Sequence, residues 1–327
     1  MRAVVCSRLD GPEALAVGEQ PDPKPAAGQV LVEVRAASLN FPDALMVRGL
    51  YQVKPSLPFV PGVELAGVVR AVGEGVQRNV GDRVLAFAGH GAFAELCVVD
   101  AERTLPLPDG IAFDAGAAFG LTYGTALHAL RDCAELKAGE TLAVLGAAGG
   151  TGIAAIECAK AMGARVIACA SSAQKLALCR EHGADEVIDY ATEDLRARLD
   201  ALTAKRSVDV IFDPVGGPYT EAAFRATAWR GRLLVVGFAA GDIPRLPLNL
   251  ALLKERSIRG VYWGDWTRKE PERHASNMAE LARWIREGKV RPPITERIGL
   301  EAVPDALARM SRRELRGKVV VTPSAAR

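Results

Sequence analysis

The residues best suited to chemistry lie in one glycine-rich stretch, residues 141–152, TLAVLGAAGGTG. Gly149 and Gly150 carry no Cβ, so the backbone there can approach a bulky anion closely. The first N–H groups of a helix starting at that point have no intrahelical partners and point at negative charge. The apolar run 142–145 just before it reads as a buried parallel strand, and 153–162 just after it reads as a helix. Strand, glycine turn and helix in that order meet the context requirement of a dinucleotide-binding unit. Ala148, Gly149, Gly150 and Thr151 are then the pyrophosphate cradle. The competing account is a Gly/Ala-rich turn with no ligand.

The second strand, Arg165–Ala170, decides which dinucleotide. It runs into Ser171-Ser172-Ala173-Gln174-Lys175. NAD sites usually place an Asp or Glu there to accept from the ribose 2′-OH. This chain has none, and a carboxylate would repel a 2′-phosphate. Ser171 and Ser172 can donate to that phosphate and Lys175 can neutralise it, which predicts NADP(H). A solvated helix charge is the competing account of Lys175.

The elements that must position these residues follow in order. Further strands are expected at Glu186–Asp189, Val208–Asp213, 232–238 and 257–263. Six strands with intervening helices match two mononucleotide halves. Phe238, at the end of the fifth, falls where ligands lie in such sheets, outside the carboxyl ends of the strands. The earlier part of the chain differs. The segments 29–36, 62–73, 82–87 and 92–99 alternate as half-buried strands and suggest a twisted, barrel-like β domain. Within it, 38–43 leads into a short helix, with Pro42 in the first turn, where a missing N–H costs nothing. Tyr51 and the proline-rich KPSLPFVPG follow. Helices are expected over 113–130 and 276–288, a last strand over 317–321 that returns to the first sheet, and a tail at 322–327.

A chain of 327 residues exceeds one ordinary core, so two domains are expected. Hydrophobic residues at 49% and charged ones at 24% suit a soluble globular enzyme. A net charge of +2 makes no case for nucleic acid or an anionic membrane surface. No apolar run reaches transmembrane length, and MRAVVCSRLD opens as a strand rather than a signal peptide, so a cytoplasmic location is expected. The six cysteines form no C-x-x-C pair and read as reduced, mostly buried thiols.

At this point a family becomes visible. The chain resembles the zinc-independent quinone oxidoreductases of the medium-chain dehydrogenase/reductase superfamily over nearly its whole length. The resemblance is carried by Asn40-Phe41-Pro42-Asp43, Leu57-Pro58-Phe59-Val60-Pro61-Gly62-Val63-Glu64, Gly81-Asp82-Arg83-Val84 and Thr125-Ala126-Leu127-His128-Ala129-Leu130. Ala147-Ala148-Gly149-Gly150-Thr151-Gly152, His182-Gly183-Ala184-Asp185 and Gly317-Lys318 complete it. It implies an α/β architecture with a GroES-like catalytic domain split around a Rossmann doubly wound parallel sheet. The corresponding boundaries are 1–118, 119–262 and 263–327. It also implies NADPH, a cleft active site and a homodimer or homotetramer, of which a homodimer is expected here.

Departures from the zinc-dependent branch are informative. Alcohol dehydrogenases of the superfamily place a cysteine ligand near Asn40, a His–Glu pair at Val63-Glu64, and four close cysteines where this chain has only Cys97. Tetrahedral zinc needs three or four ligands, so no metal is expected. His90, His128, His182 and His274 are too scattered to replace them. Without a Lewis acid the easier task is hydride delivery to an electron-poor acceptor, a quinone or an α,β-unsaturated carbonyl. Such a site needs orientation, a dry pocket and donors near the oxygen that gains charge.

Asn40 is the first candidate donor: its amide can hold an enolate or semiquinone oxygen, or the cofactor's ribose. It also suits a helix N-cap. Asp43, near Asn40 on the family pattern, equally suits the helix dipole. Tyr51 can donate a proton or line the pocket. Thr125 matches the family threonine on the nicotinamide side, and Tyr190 the family position flanking the adenine end. Arg313 and Lys318 are candidates to reach the cofactor, or are solvated charges. The aromatic cluster Tyr262-Trp263-Gly264-Asp265-Trp266 either walls an acceptor pocket or packs. Two other functions stay open: a 2-enoyl-thioester reductase, and a non-catalytic NADPH-binding protein.

Overall fold

The computed structural model describes residues 1–204 and 206–323; residues 324–327 of the expected tail lie outside them. Two compact units emerge, Met1–Leu121 with residues 292–323, and Thr122–Arg291.

The first unit opens on an antiparallel pair, β1 (Arg2–Cys6) and β2 (Leu15–Glu19). Then come β3 (Gln29–Ser38), α1 (Phe41–Met46), β4 (Glu64–Val72), β5 (Arg83–Phe87), β6 (Leu96–Asp100) and β7 (Thr104–Pro106). These strands pair antiparallel, with β3 between β4 and β6. Along β3 the alternation seen in the sequence puts Val30, Val32 and Val34 in the core. At its end the alternation stops, and Ala36, Ala37 and Ser38 are all buried. A helix, α2 (Phe113–Leu127), follows and a π-helical turn, His128–Cys133, continues it.

The second unit alternates strand and helix: β8 (Thr141–Val144), α3 (Gly150–Ala161), β9 (Arg165–Ala170), α4 (Ala173–Glu181), β10 (Glu186–Asp189), α5 (Leu195–Leu202), β11 (Val208–Asp213), α6 (Tyr219–Arg225), β12 (Thr227–Val235), α7 (Asn249–Leu252) and β13 (Ser257–Gly260). The six strands form one parallel sheet in the order β10-β9-β8-β11-β12-β13. That is the doubly wound order with its switch point between β8 and β11. Two more helices, α8 (Trp263–Lys269) and α9 (Pro271–Arg286), end the unit. The chain then returns to the first sheet, as expected, through β14 (Ile294–Ile298), α10 (Val303–Ser311) and β15 (Lys318–Val321), and β15 pairs antiparallel with β3.

Several boundaries differ from expectation. Strand β12 ends at Val235, three residues before Phe238, because Val236 and Gly237 turn their N–H groups onto the Asp213 carbonyl. Strand β13 stops at Gly260, and Trp263 starts a helix instead of ending a strand. Residues 263–291 belong to the second unit rather than to the returning segment. Trp263 lies against Gly124, where a Cβ would meet its ring at 2.8 Å. The Trp266 ring stacks on His128 at 4.0 Å, and Arg131 pairs with Glu280. Trp263 and Trp266 are therefore packing residues of this unit, while Tyr262 is exposed. Helix α9 starts at Pro271, where proline suits the first turn, and not at 276. No described helix is long and apolar enough to cross a membrane.

Gly67 in β4 faces the backbone of β3: a Cβ there would lie 2.0 Å from the Glu33 carbonyl oxygen, whereas one on Gly264 in α8 would meet nothing within 4 Å. Gly67→Ala is expected to cost about 2–3 kcal/mol, while Gly264→Ala gains up to about 1 kcal/mol from helix propensity. Urea unfolding midpoints of the two variants check the contrast.

Candidate functional site

In the first unit five polar side chains meet where β3, α1, β4 and β15 converge. Ser38 ends β3, Asn40 and Asp43 are the N-cap and third residue of α1, Glu64 begins β4 and Lys318 begins β15. All five are buried. The Asp43 carboxylate reaches back to the Asn40 N–H at 2.8 Å, which fixes the start of the helix. The Asn40 amide turns inward. Its Nδ2 donates toward Glu64 Oε2 at 3.1 Å and the Ser38 carbonyl at 3.2 Å, and its Oδ1 accepts from Lys318 Nζ at 2.7 Å. Lys318 also donates to the Leu39 carbonyl at 3.0 Å. Glu64 Oε2 accepts from the Ser38 hydroxyl at 2.9 Å, and Oε1 from the Leu121 N–H at 2.7 Å.

The electrostatics follow from burial. Asp43 is wholly buried and its Oδ1 has no hydrogen-bond partner of normal geometry. Desolvation pushes its carboxyl up to about 7, against the pull of the Asn40 N–H and the Lys318 charge. Burial draws the Lys318 ammonium below its ordinary value, while Glu64 and Asp43 favour its charged form. Two carboxyl groups facing one ammonium leave the cluster one positive charge short, and a proton on Asp43 removes the imbalance.

Lys318, expected at the cofactor or in solvent, joins this cluster instead: it is 2% exposed and donates to Asn40 and Leu39. The other candidates of this unit stay outside it. Arg313 is exposed just past α10 with a left-handed backbone, φ 61°. Tyr51 is half-buried and packs on the first unit's core.

In the second unit the remaining candidates other than Thr125 follow the carboxyl ends of strands in one sheet. Gly149 is exposed and caps α3, whose first intrahelical bond runs from Ile153 N–H to the Gly149 carbonyl. The N–H groups of Gly150, Thr151 and Gly152 precede that bond and lack intrahelical acceptors. The glycines that packing demands are others: a Cβ at Gly152 would meet Ala147 backbone at 2.6 Å, and one at Gly146 would meet Val215 at 2.6 Å. Nothing lies closer than 3.4 Å to a Cβ at Gly149, so packing does not demand a glycine there, and the N–H groups at the start of α3 are of the kind that could hold a phosphate. Beside Ala148, Ala147 N–H bonds to the Cys169 carbonyl and ties the turn to β9.

At the end of β9, Lys175 Nζ lies 3.3 Å from Ser171 Oγ, and Ser172 caps α4 by accepting from the Lys175 N–H. Tyr190 N–H bonds to the Ala170 carbonyl, and its ring lies on Tyr219 with centroids 4.2 Å apart. The structure thus brings Ser171, Ser172, Lys175 and Tyr190 to one strand end. Phe238 sits on the turn after β11, its ring 2.9 Å from where a Gly216 Cβ would be. Thr125 is half-buried in α2.

The sequence reading missed the roles of Ser38 and Glu64 and the turn at Asp213. Polar residues at the buried ends of otherwise apolar strands were the available signal. Asp213 accepts from the Val215 and Gly216 N–H groups at 2.9 and 2.8 Å and from the Thr220 hydroxyl at 2.6 Å, shaping the turn at the sheet's switch point. His128 bonds Asp132 and His182 bonds Glu157. Among the described residues no three His, Cys, Asp or Glu side chains are grouped to hold a metal ion.

Comparison with known proteins covers both units. The alcohol dehydrogenase GroES-like domain model matches residues 26–109, and the zinc-binding dehydrogenase model matches 150–282. The chain is 37% identical to a quinone oxidoreductase-like protein 2 homolog of Nematostella vectensis, over 98% of this chain and 88% of that protein. It is 37% identical to a quinone oxidoreductase of Pseudomonas aeruginosa, over 96% and 97%. The crystal structure of Escherichia coli quinone oxidoreductase complexed with NADPH superposes with a TM-score of 0.93 at 30% identity, covering 99% of this chain and 100% of that one.

The Asp43 carboxyl gives a test of the buried cluster. It titrates near 3.8 in an ordinary setting and at about 7 in the fold, so across that window the folded protein holds the extra proton. Its contribution to stability falls as pH rises from about 4 to about 7 and is level above. Asp43→Asn lacks this dependence. Its urea midpoint relative to wild type is expected to climb between pH 4.5 and 8; a constant difference would contradict the burial argument.

Proposed function

The chain belongs to the quinone oxidoreductase family of the medium-chain dehydrogenase/reductase superfamily, and on that premise we propose that it is an NADPH-dependent reductase of quinones or α,β-unsaturated carbonyls that works without zinc. The observation that carries the reading is the carboxyl end of β9, where Lys175 and Ser171 stand together and no acid follows the strand. A 2′-phosphate finds a cation and two hydroxyls there. NADPH, when bound, supplies the hydride.

The chain's own residues do the rest. The α3 N-terminus and the bare Gly149–Gly150 turn take the pyrophosphate, with Ala148 and Thr151 flanking it. Tyr190, backed by Tyr219, walls the adenine end, and Thr125 and Phe238 serve the nicotinamide end. Tyr51 offers a hydroxyl toward the oxygen that gains charge, and Asn40 and Asp43 order the acceptor side. Arg313 contributes a positive charge from the C-terminal segment. Zinc independence is supported by what stands at the positions of the lost ligands: an ammonium-held amide at Asn40 and a valine at 63.

A homodimer completes the reading. Strand β13 is a sheet edge, and Trp229, Leu248, Leu252 and Ile258 expose large apolar side chains on or near the last two strands. A second copy pairing along that edge would cover them. Light scattering is expected to give twice the chain mass, and Ile258→Asp the mass of one chain.

The direct assay is NADPH against NADH oxidation with 1,4-benzoquinone, 9,10-phenanthrenequinone, an enone and crotonyl-CoA. NADPH with a quinone or the enone is the expected pair. Lys175→Ala should raise the KM for NADPH about tenfold and leave that for NADH unchanged. Preference for crotonyl-CoA would replace the reading with an enoyl-thioester reductase, and NADPH binding without any turnover with a binding protein.

A further inference from the structure

On an α-helix each residue turns the chain by about 100°, so side chains five residues apart point about 140° away from each other. The turn His128–Cys133 is wider than that: the Ala134 N–H bonds to the Ala129 carbonyl, five residues back, at 2.8 Å. The extra residue brings Cys133 round to the face that carries His128 and Asp132. Cys133 Sγ lies 3.4 Å from His128 Nε2, and His128 Nδ1 lies 3.1 Å from Asp132 Oδ2. A thiol, an imidazole and a carboxyl group thus stand in line within the second unit.

The roles along this line are set by neighbours in α9. Asp132 Oδ2 also accepts from Asn277 Nδ2 at 2.9 Å, and Oδ1 from Arg273 at 2.7 Å. Arg131 donates to Asn277 Oδ1 at 3.2 Å and so fixes which way that amide faces. Desolvation works against the Asp132 carboxylate, but the bonds from His128 and Asn277 and the Arg273 charge hold its carboxyl below the ordinary range. A carboxylate only accepts, so Nδ1 of a neutral His128 carries the hydrogen and Nε2 presents a lone pair to the thiol. Trp266 covers one face of the imidazole, and Arg259 of β13 donates to the Cys133 carbonyl, so ring and sulfur are both held.

Cys6, Cys97, Cys158, Cys169 and Cys179 are buried, whereas Cys133 is half-buried. Burial and the Asp132 charge push its thiol up to about 11. It therefore rests as S–H, and a reaction at sulfur needs a base to take the hydrogen.

We propose that Cys133 is a modification site, where small α,β-unsaturated carbonyl compounds add covalently to the thiol with His128 as the base. Nε2 takes the thiol hydrogen as sulfur bonds to the β-carbon, and the alkene electron pair moves onto the carbonyl oxygen. The α-carbon of the resulting enolate then recovers a proton from His128. An S–C and a C–H bond replace an S–H bond and an alkene π bond, so no oxidant, reductant or cofactor is required. The inference goes beyond the reductase reading and does not depend on it.

The test exposes the native protein to N-ethylmaleimide at neutral pH and follows adducts by intact mass and peptide mapping. Cys133 is expected to take one adduct before any other cysteine reacts, and to do so at least as fast as free cysteine; a thiol that ionises near 11 and acts unaided would lag free cysteine at least about tenfold. Cys133→Ser should remove the adduct. His128→Ala should slow labelling about a hundredfold, and added imidazole should restore part of the rate, a rescue that a purely structural role of His128 would not give. Labelling of His128→Ala at the wild-type rate would overturn the base assignment. A native protein in which Cys133 reacts no sooner than the buried cysteines would overturn the site. If His128→Ala does not fold, the wild-type rate still decides, because a lag of tenfold or more behind free cysteine contradicts assistance by a base.

Discussion

The buried contact between Lys318 and Asn40 is the constraint on which the first unit depends. Taking an ammonium out of water costs several kcal/mol, and the cost is offset only where paired charges and hydrogen bonds surround it. Lys318 finds the Leu39 carbonyl, the Asn40 amide oxygen and, at 3.8 Å, the Glu64 carboxylate. Those partners lie just after β3, at the cap of α1 and at the start of β4, while the lysine arrives 278 residues later than Asn40. The cluster therefore forms only when the two sequence-distant parts of the first unit have closed on each other. The interruption of the unit by 170 residues of a different architecture makes this closure a long-range event.

The second unit works by a different economy. Its cradle is built of backbone and of small or hydroxyl-bearing side chains, and its polarity comes from helix ends. Gly146 and Gly152 serve packing, whereas no packing neighbour demands a glycine at 149. Asp213, bonded to two N–H groups and a hydroxyl, holds the turn after β11 in the same row of strand ends. The two units thus carry polarity of different kinds: helix-end N–H groups and a surface cation in one, and a buried charged network in the other.

Much of the second unit was legible in the sequence because its signals are local. Strands β9, β10 and β11 begin and end where apolar runs meet Gly, Ser or Asp, and these boundaries agree with the structure. The fifth strand did not, because Val236 and Gly237 bond to the neighbouring Asp213 carbonyl, a partner the sequence does not display. The aromatic cluster was ambiguous for the same kind of reason: that Trp263 fills the space left by Gly124 is a fact of tertiary packing. In the first unit Asn40 and Asp43 stood out by motif, yet the partners that define their chemistry, Ser38, Glu64 and Lys318, are contributed by three separate strands. No spacing rule links them. Asn40 looked like a donor because its type allows it; only the positions of an ammonium and a carboxylate around it show which of its valences are already taken.

If a clamped amide occupies the ground where related dehydrogenases hold a metal ligand, hydride transfer should need no metal. The most direct measurement is single-turnover oxidation of NADPH by 1,4-benzoquinone, comparing the protein before and after exhaustive dialysis against a chelator. The account predicts the same rate constant in both samples. Loss of the reaction on dialysis, with recovery on adding zinc, would contradict it.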